Sequence, residues 1–353
     1  RGACDRAGQL RRGGAACGGN APGLGVHGQD LIERGGVDQF NRGQSVFNNP
    51  RNRKERHLFL EESGHGHPVG GGVQRQRLAA EGIDVGLITQ AFEAAYSTFH
   101  IDDLVARINA LDGKAPAEAQ TLMMVETSAN LRLLAGTFAS DPELLRTGSI
   151  AGVVERNRDA IAEIRALLPT ALSPLVLGRV QARADLYRKA GAPADLAQDV
   201  ALVRALASAR ETVEIAAQTR WPLKSALLMQ HQVGEQLGLD RMRSAARDLQ
   251  PRDHWDRLAL QRVADDLPRQ QSELAIAAIR HAQAAKASPA SIDREEARRL
   301  VEAWIVPRKG LADRLMQPMS AFDRQGGWSL AKLVLLGDAV REFVYACRNE
   351  TAG

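Results

Sequence analysis

Aromatic residues are scarce in this 353-residue chain, at 4%, and cysteines number three. Strands of a β-sandwich or barrel draw on aromatic and β-branched side chains, so the shortage argues against both architectures. Cys4, Cys17 and Cys347 cannot make a disulfide framework, which points to a reducing compartment. No apolar run reaches the roughly 18 residues of a membrane-spanning helix. The longest, around Leu330–Leu336, is interrupted by Lys332. No charged start followed by an apolar core marks a signal peptide. A cytoplasmic protein with no membrane partner is the expectation. An excess of one charge is also missing. Residues 1–86 hold 12 Lys and Arg against 9 Asp and Glu, and the remainder holds 34 against 33. Nucleic-acid binders carry a sustained basic stripe, and none runs through the body, so no nucleic-acid partner is expected.

What the chain does have is 44% hydrophobic and 25% charged residues, the balance of a soluble globular protein. Ala, Leu and Arg are abundant and all favour helix. The length suggests two or three domains. Nineteen of the 32 glycines precede residue 87. That stretch has no helical apolar period and little to bury against the entropy of ordering it. Two readings of residues 1–86 stand side by side: a disordered segment, or translation of a GC-rich gene out of its natural frame.

From Ile88 onward the pattern is repeated amphipathic helices. Ile88, Phe92, Ala95 and Phe99 form one face, and Leu104, Ile108 and Leu111 the next. Asp112-Gly113 breaks the helix and Pro116 fits the first turn of another, carrying Leu122, Val125, Leu131, Leu133 and Leu134. Further helices are expected over Ser149–Leu168, over Leu175, Leu177, Val180 and Leu186, and after Pro193 and Pro222. The last are expected over Asp253–Ala285, Ser291–Ile305 and Trp328–Cys347. The predicted fold class is all-α, many helices packed antiparallel, with helical regions over 87–250 and 251–350 behind the glycine-rich segment.

Candidate chemistry is thin. Gly23-Leu24-Gly25-Val26-His27-Gly28 fits a dinucleotide-binding fingerprint, but Gly18-Gly19-Asn20-Ala21-Pro22 before it cannot be the buried strand such a loop needs. His65 and His67 could share a metal, yet only Glu61 and Glu62 stand near to complete a ligand set. Cys4 and Cys17 lack metal-site spacing. His231 and His254 read as surface or satisfied core residues. Asp265 and Asp266 point about 100° apart on a helix and read as a solvated face. Trp221, Trp255, Trp304 and Trp328 read as packing anchors. Trp255 is expected to be buried, on a stripe continued by Leu258, Ala259, Val263 and Leu267, with Asp253 capping the helix and Asp256 in its first turn; an exposed docking residue is the alternative. No catalytic, cofactor-binding or metal-binding residue is assigned.

Several ordered motifs carry a resemblance. They are Ala110-Leu111-Asp112-Gly113-Lys114-Ala115-Pro116, Glu211-Thr212-Val213-Glu214-Ile215-Ala216, Gly238-Leu239-Asp240-Arg241-Met242, His254-Trp255-Asp256-Arg257-Leu258-Ala259, Asp265-Asp266-Leu267 and Gln271-Ser272-Glu273-Leu274. In content and order they resemble the C-terminal helical region of the large bacterial NAD-specific glutamate dehydrogenases, over Ile88–Cys347. Residues 1–86 show no such likeness. Pro268 falls where the family's helix continues and is expected to kink it. The resemblance implies a parent enzyme that deaminates L-glutamate to 2-oxoglutarate with NAD as hydride acceptor. NAD and the catalytic groups would bind upstream of this region. The chain would then be an inactive scaffold fragment, its partner the parent's dehydrogenase domain, in a homo-oligomer. A stand-alone all-α interaction or regulatory module is the competing expectation.

Overall fold

The structure, a computed structural model, describes residues 85–352 apart from 139–140, 148, 290–291 and 325–326. Nearly all of the glycine-rich segment lies outside the described residues. So do the Gly23–Gly28 motif, His65, His67, Cys4 and Cys17. The described residues are all-α, with no strand among them, and fall within one compact unit.

The first helices are α1 Val85–Thr98, α2 Ile101–Asn109, α3 Ala117–Gly136, α4 Pro142–Thr147 and α5 Ile150–Ala171. Their apolar periods close one core: Phe99, Leu104, Ile108, Leu134, Ile161 and Ile164 are all fully buried. Gly113 takes φ +67 between α2 and α3, the left-handed turn expected at Asp112-Gly113. α5 also holds the α1–α2 corner through polar contacts. Arg165 donates to the Phe99 carbonyl at 2.6 Å and His100 Nε2 lies 3.2 Å from the Arg158 carbonyl.

The chain continues through α6 Pro174–Lys189, α7 Ala194–Leu202, a 3-10 turn at Val203–Ser208, α8 Ala209–Thr219, α9 Leu223–Gln236 and α10 Leu239–Asp248. It ends in α11 His254–Ala284, α12 Arg294–Ile305, a 3-10 turn at Val306–Arg308, α13 Lys309–Arg324 and α14 Leu330–Ala352. Starts follow the capping rules. Asp253 and Asp293 accept from the third-following backbone N–H, each at 2.8 Å, satisfying a donor that the helix leaves unpaired.

Helix α9 is the hub. It packs against α5, α8, α10, α11 and α12, so helices from both sides of residue 250 share one core. α14 lies beside α11 in the same direction. Asp266 pairs with Arg341 at 3.4 Å and Glu273 with Arg348 at 2.5 Å, a constant register, because α12 and α13 carry the chain back before α14 begins. Between α12 and α14 the Trp304 and Phe343 rings stack at 5.5 Å and an interplanar angle of 10°.

α11 runs as one helix of 31 residues with Pro268 inside it. Proline there removes one ladder bond, and Ser272 Oγ donates to the Pro268 carbonyl at 3.0 Å. Along α6, Leu175 and Leu186 are exposed, and Val180 is buried. One local expectation, the burial of Trp255, needs correction. Trp255 is 75% exposed. The first two turns of α11 project beyond the neighbouring helices, and its buried stripe begins only at Val263.

Candidate functional site

Two polar constellations stand out, and α10 contributes to both. The first lies around α9. A helix buried on all sides is ordinarily apolar. α9 is buried continuously from Ser225 to Gly234, yet it carries Gln230, His231 and Gln232 there. Thr212 of α8 donates to the Gln230 side chain. Gln271 of α11 donates to the Gln230 backbone carbonyl at 2.6 Å. Arg243 of α10 bonds the Gln271 oxygen and also Asp240, the latter at 3.1 Å. On another side Gln232 and Arg294 converge on Glu235, at 3.0 and 2.9 Å, and Arg294 reaches the Leu172 carbonyl at 2.8 Å.

This network has open ends. His231 Nε2, Asp240 Oδ2 and both polar atoms of Gln270 are buried without a hydrogen-bond partner among the described residues. Burial pushes His231 down to about 4, against the pull of Asp240 and with help from the cations Arg243 and Arg294. The imidazole is therefore neutral at pH 7. His231 is buried within this network, which ties α9 to α8 and α11.

The second constellation is a cleft of about 610 Å³ between α3, α6, the Val203–Ser208 turn and α10. Arg179, Arg183, Arg204 and Arg247 line it, with Glu126 and Asp248. Arg179 forks onto Asp248 at 2.6 and 3.2 Å, and Arg183 meets Glu126 at 3.2 Å. Among the described residues Arg204 and Arg247 have neither an ion pair nor a hydrogen bond from their guanidinium groups. Crowding by the cleft walls, then the cations Arg204, Arg243 and Arg179, push Arg247 down to about 10, although its surface stays open to solvent.

The residues singled out in the sequence are dispersed. His231 lies in the α9 network, while His254 and Trp255 meet edge to face at 5.5 Å on the exposed start of α11. Asp266 is an ion-pair partner of Arg269 and Arg341, and Asp265 is pushed up by partial burial and by Asp266 beside it. Trp221 and Trp304 are buried, and Trp328 is half-buried against Phe322 at 5.9 Å. Cys347 is buried and pushed up to about 11, mainly by burial. No group of three or more potential metal ligands exists among the described residues. Neither polar constellation was legible in advance: scattered Gln and Arg have no spacing signal until tertiary packing brings Gln230, Arg243 and Gln271 together.

An all-α module built around a buried polar helix is the class that this architecture defines. The family model described as "Glutamate dehydrogenase, C-terminal" matches residues 69–342, and the chain belongs to that family. The match takes in residues 69–86, for which the motifs had given no family counterpart. The chain is 27% identical over 274 residues to an NAD-specific glutamate dehydrogenase of Halomonas elongata. The alignment covers 76% of this chain and 16% of that protein. No single described helix is long and apolar enough to cross a membrane.

Proposed function

We propose that the chain is the C-terminal helical scaffold of an NAD-specific glutamate dehydrogenase. The observation that carries this reading is the family match over residues 69–342. The parent would convert L-glutamate, NAD and water to 2-oxoglutarate, ammonia and NADH in the cytoplasm, as a homo-oligomer.

A dinucleotide site of the usual kind needs a glycine-rich turn between a strand and a helix N-terminus. Among the described residues the glycine turns at Gly113, Gly191 and Gly238 join helix to helix, so these residues do not fit the cofactor. NAD and the reacting groups then belong to the preceding part of the polypeptide, and this chain contributes packing surface. Its partner is that dehydrogenase domain. Support comes from the exposed Trp255 and Leu258 in the most family-like stretch, and from the small share of the relative's length that the chain spans. Large apolar side chains left open on a module of a longer chain are suited to intramolecular docking.

The test is to mix the purified chain with L-glutamate and NAD and follow absorbance of reduced cofactor. No reduction above blank is expected. Turnover in a preparation free of host dehydrogenase would contradict the scaffold reading.

A further inference from the structure

We propose that the cleft between α3, α6 and α10 binds a small dianion, with Arg204 and Arg247 as its primary ligands. Four guanidinium groups and two carboxylates face this space, an excess of two positive charges. The two carboxylates are already engaged by Arg179 and Arg183. These ion pairs occupy both carboxylates and leave Arg204 and Arg247 uncommitted and solvent-accessible. Like charges gathered at one cleft repel one another, and an anion between them turns that repulsion into attraction. The planar guanidinium fork matches a carboxylate or a phosphate equally well through paired N–H donors.

The rest of the wall is apolar, including Val176, Val180 and the exposed Leu186. That side suits a short carbon chain, and a cleft of about 610 Å³ has room for a metabolite-sized ligand. The ligand chemistry is thus a compact dianion, carboxylate or phosphate. The proposal rests on the arginine geometry alone and is independent of the dehydrogenase assignment. Arg247 also links the cleft to the interior, because α10 carries Arg243 and Asp240 of the α9 network one turn and two turns before it.

Calorimetric titration of the full 353-residue chain with succinate and, separately, with inorganic phosphate tests this, using chloride to hold ionic strength constant. Saturable binding of at least one anion is expected, and which one binds identifies the headgroup. The combined Arg204→Gln and Arg247→Gln variant should weaken that binding by about tenfold or more. Both side chains are exposed, so its helical circular dichroism should match the parent's. Arg299→Gln, a surface arginine paired with Glu296 at 2.7 Å outside the cleft, should leave binding unchanged. Failure of both anions to bind better than chloride overturns the proposal. So does a double variant that binds as tightly as the unaltered chain.

Discussion

A Cβ added at Gly234 would stand 2.6 Å from Nε2 of Gln271. The glycine in α9 is what lets the α11 glutamine reach the Gln230 carbonyl, in a place where both helices are buried.

Gly234→Ala should therefore destabilise the fold by about 1–3 kcal/mol, despite the better helix propensity of alanine. Gln271 cannot simply swing aside, because it is buried and held by both Gln230 and Arg243. In a Gln271→Ala background the clash is gone and the same substitution should be neutral or stabilising, by up to about 1 kcal/mol. Denaturant unfolding of the four proteins checks the sign reversal. Equal effects in both backgrounds would show that the contact is not the reason for the glycine.

Stability should rise with pH between about 4 and 6.5 through His231. Its pKa is lower folded than unfolded, so in this window the unfolded chain binds more protons and acid favours unfolding. The contribution is fully present above the unfolded value and is lost as pH falls through the window. It amounts to on the order of 3 kcal/mol at most. Urea unfolding at several pH values should show a shallower slope for His231→Gln than for the unaltered chain. Identical slopes would mean that His231 is not held neutral.

Trp255 and Trp304 should part company. Trp255→Ala should change the stability of this chain by no more than about 0.5 kcal/mol, since the ring is 75% exposed. Trp304→Ala should cost about 3–5 kcal/mol, because the indole is fully buried and stacked on Phe343. Comparable losses in unfolding experiments would place the start of α11 in a packed core.

Gly238 joins α9 to α10 at φ +70, and a Cβ there would meet the Met319 sulfur at 2.8 Å. Gly238→Ala should lower stability by about 1–3 kcal/mol through backbone strain and crowding. Met319→Ala should not rescue it fully, since the left-handed turn still disfavours a Cβ. Full rescue in thermal unfolding would assign the whole effect to the sulfur contact.

Much of this fold was legible because local signals agreed with it. Asp112-Gly113, Pro116, Pro222 and Asp253 punctuate helices where capping and turn chemistry say they should. Periodicity also located Phe99, Leu104 and Ile108 in the core. It misplaced Trp255 because an apolar stripe says which residues share a face and not whether a neighbour covers that face at each turn. α11 outruns its partners at its start, and only tertiary structure reveals that. The arginine cleft was hidden because Arg179 and Arg183 of α6 meet Arg204 and Arg247 from other elements only in the folded chain, and the sequence totals conceal a local excess of charge.

The most direct test of the scaffold account is the DNA sequence of the gene upstream of the codon for residue 69, where the family match begins. The account predicts an open coding region for a dehydrogenase domain, with a strand, a glycine-rich phosphate-binding turn and a helix in order. A promoter and start codon close upstream, with no such domain in any frame, would contradict it and leave a free-standing helical module.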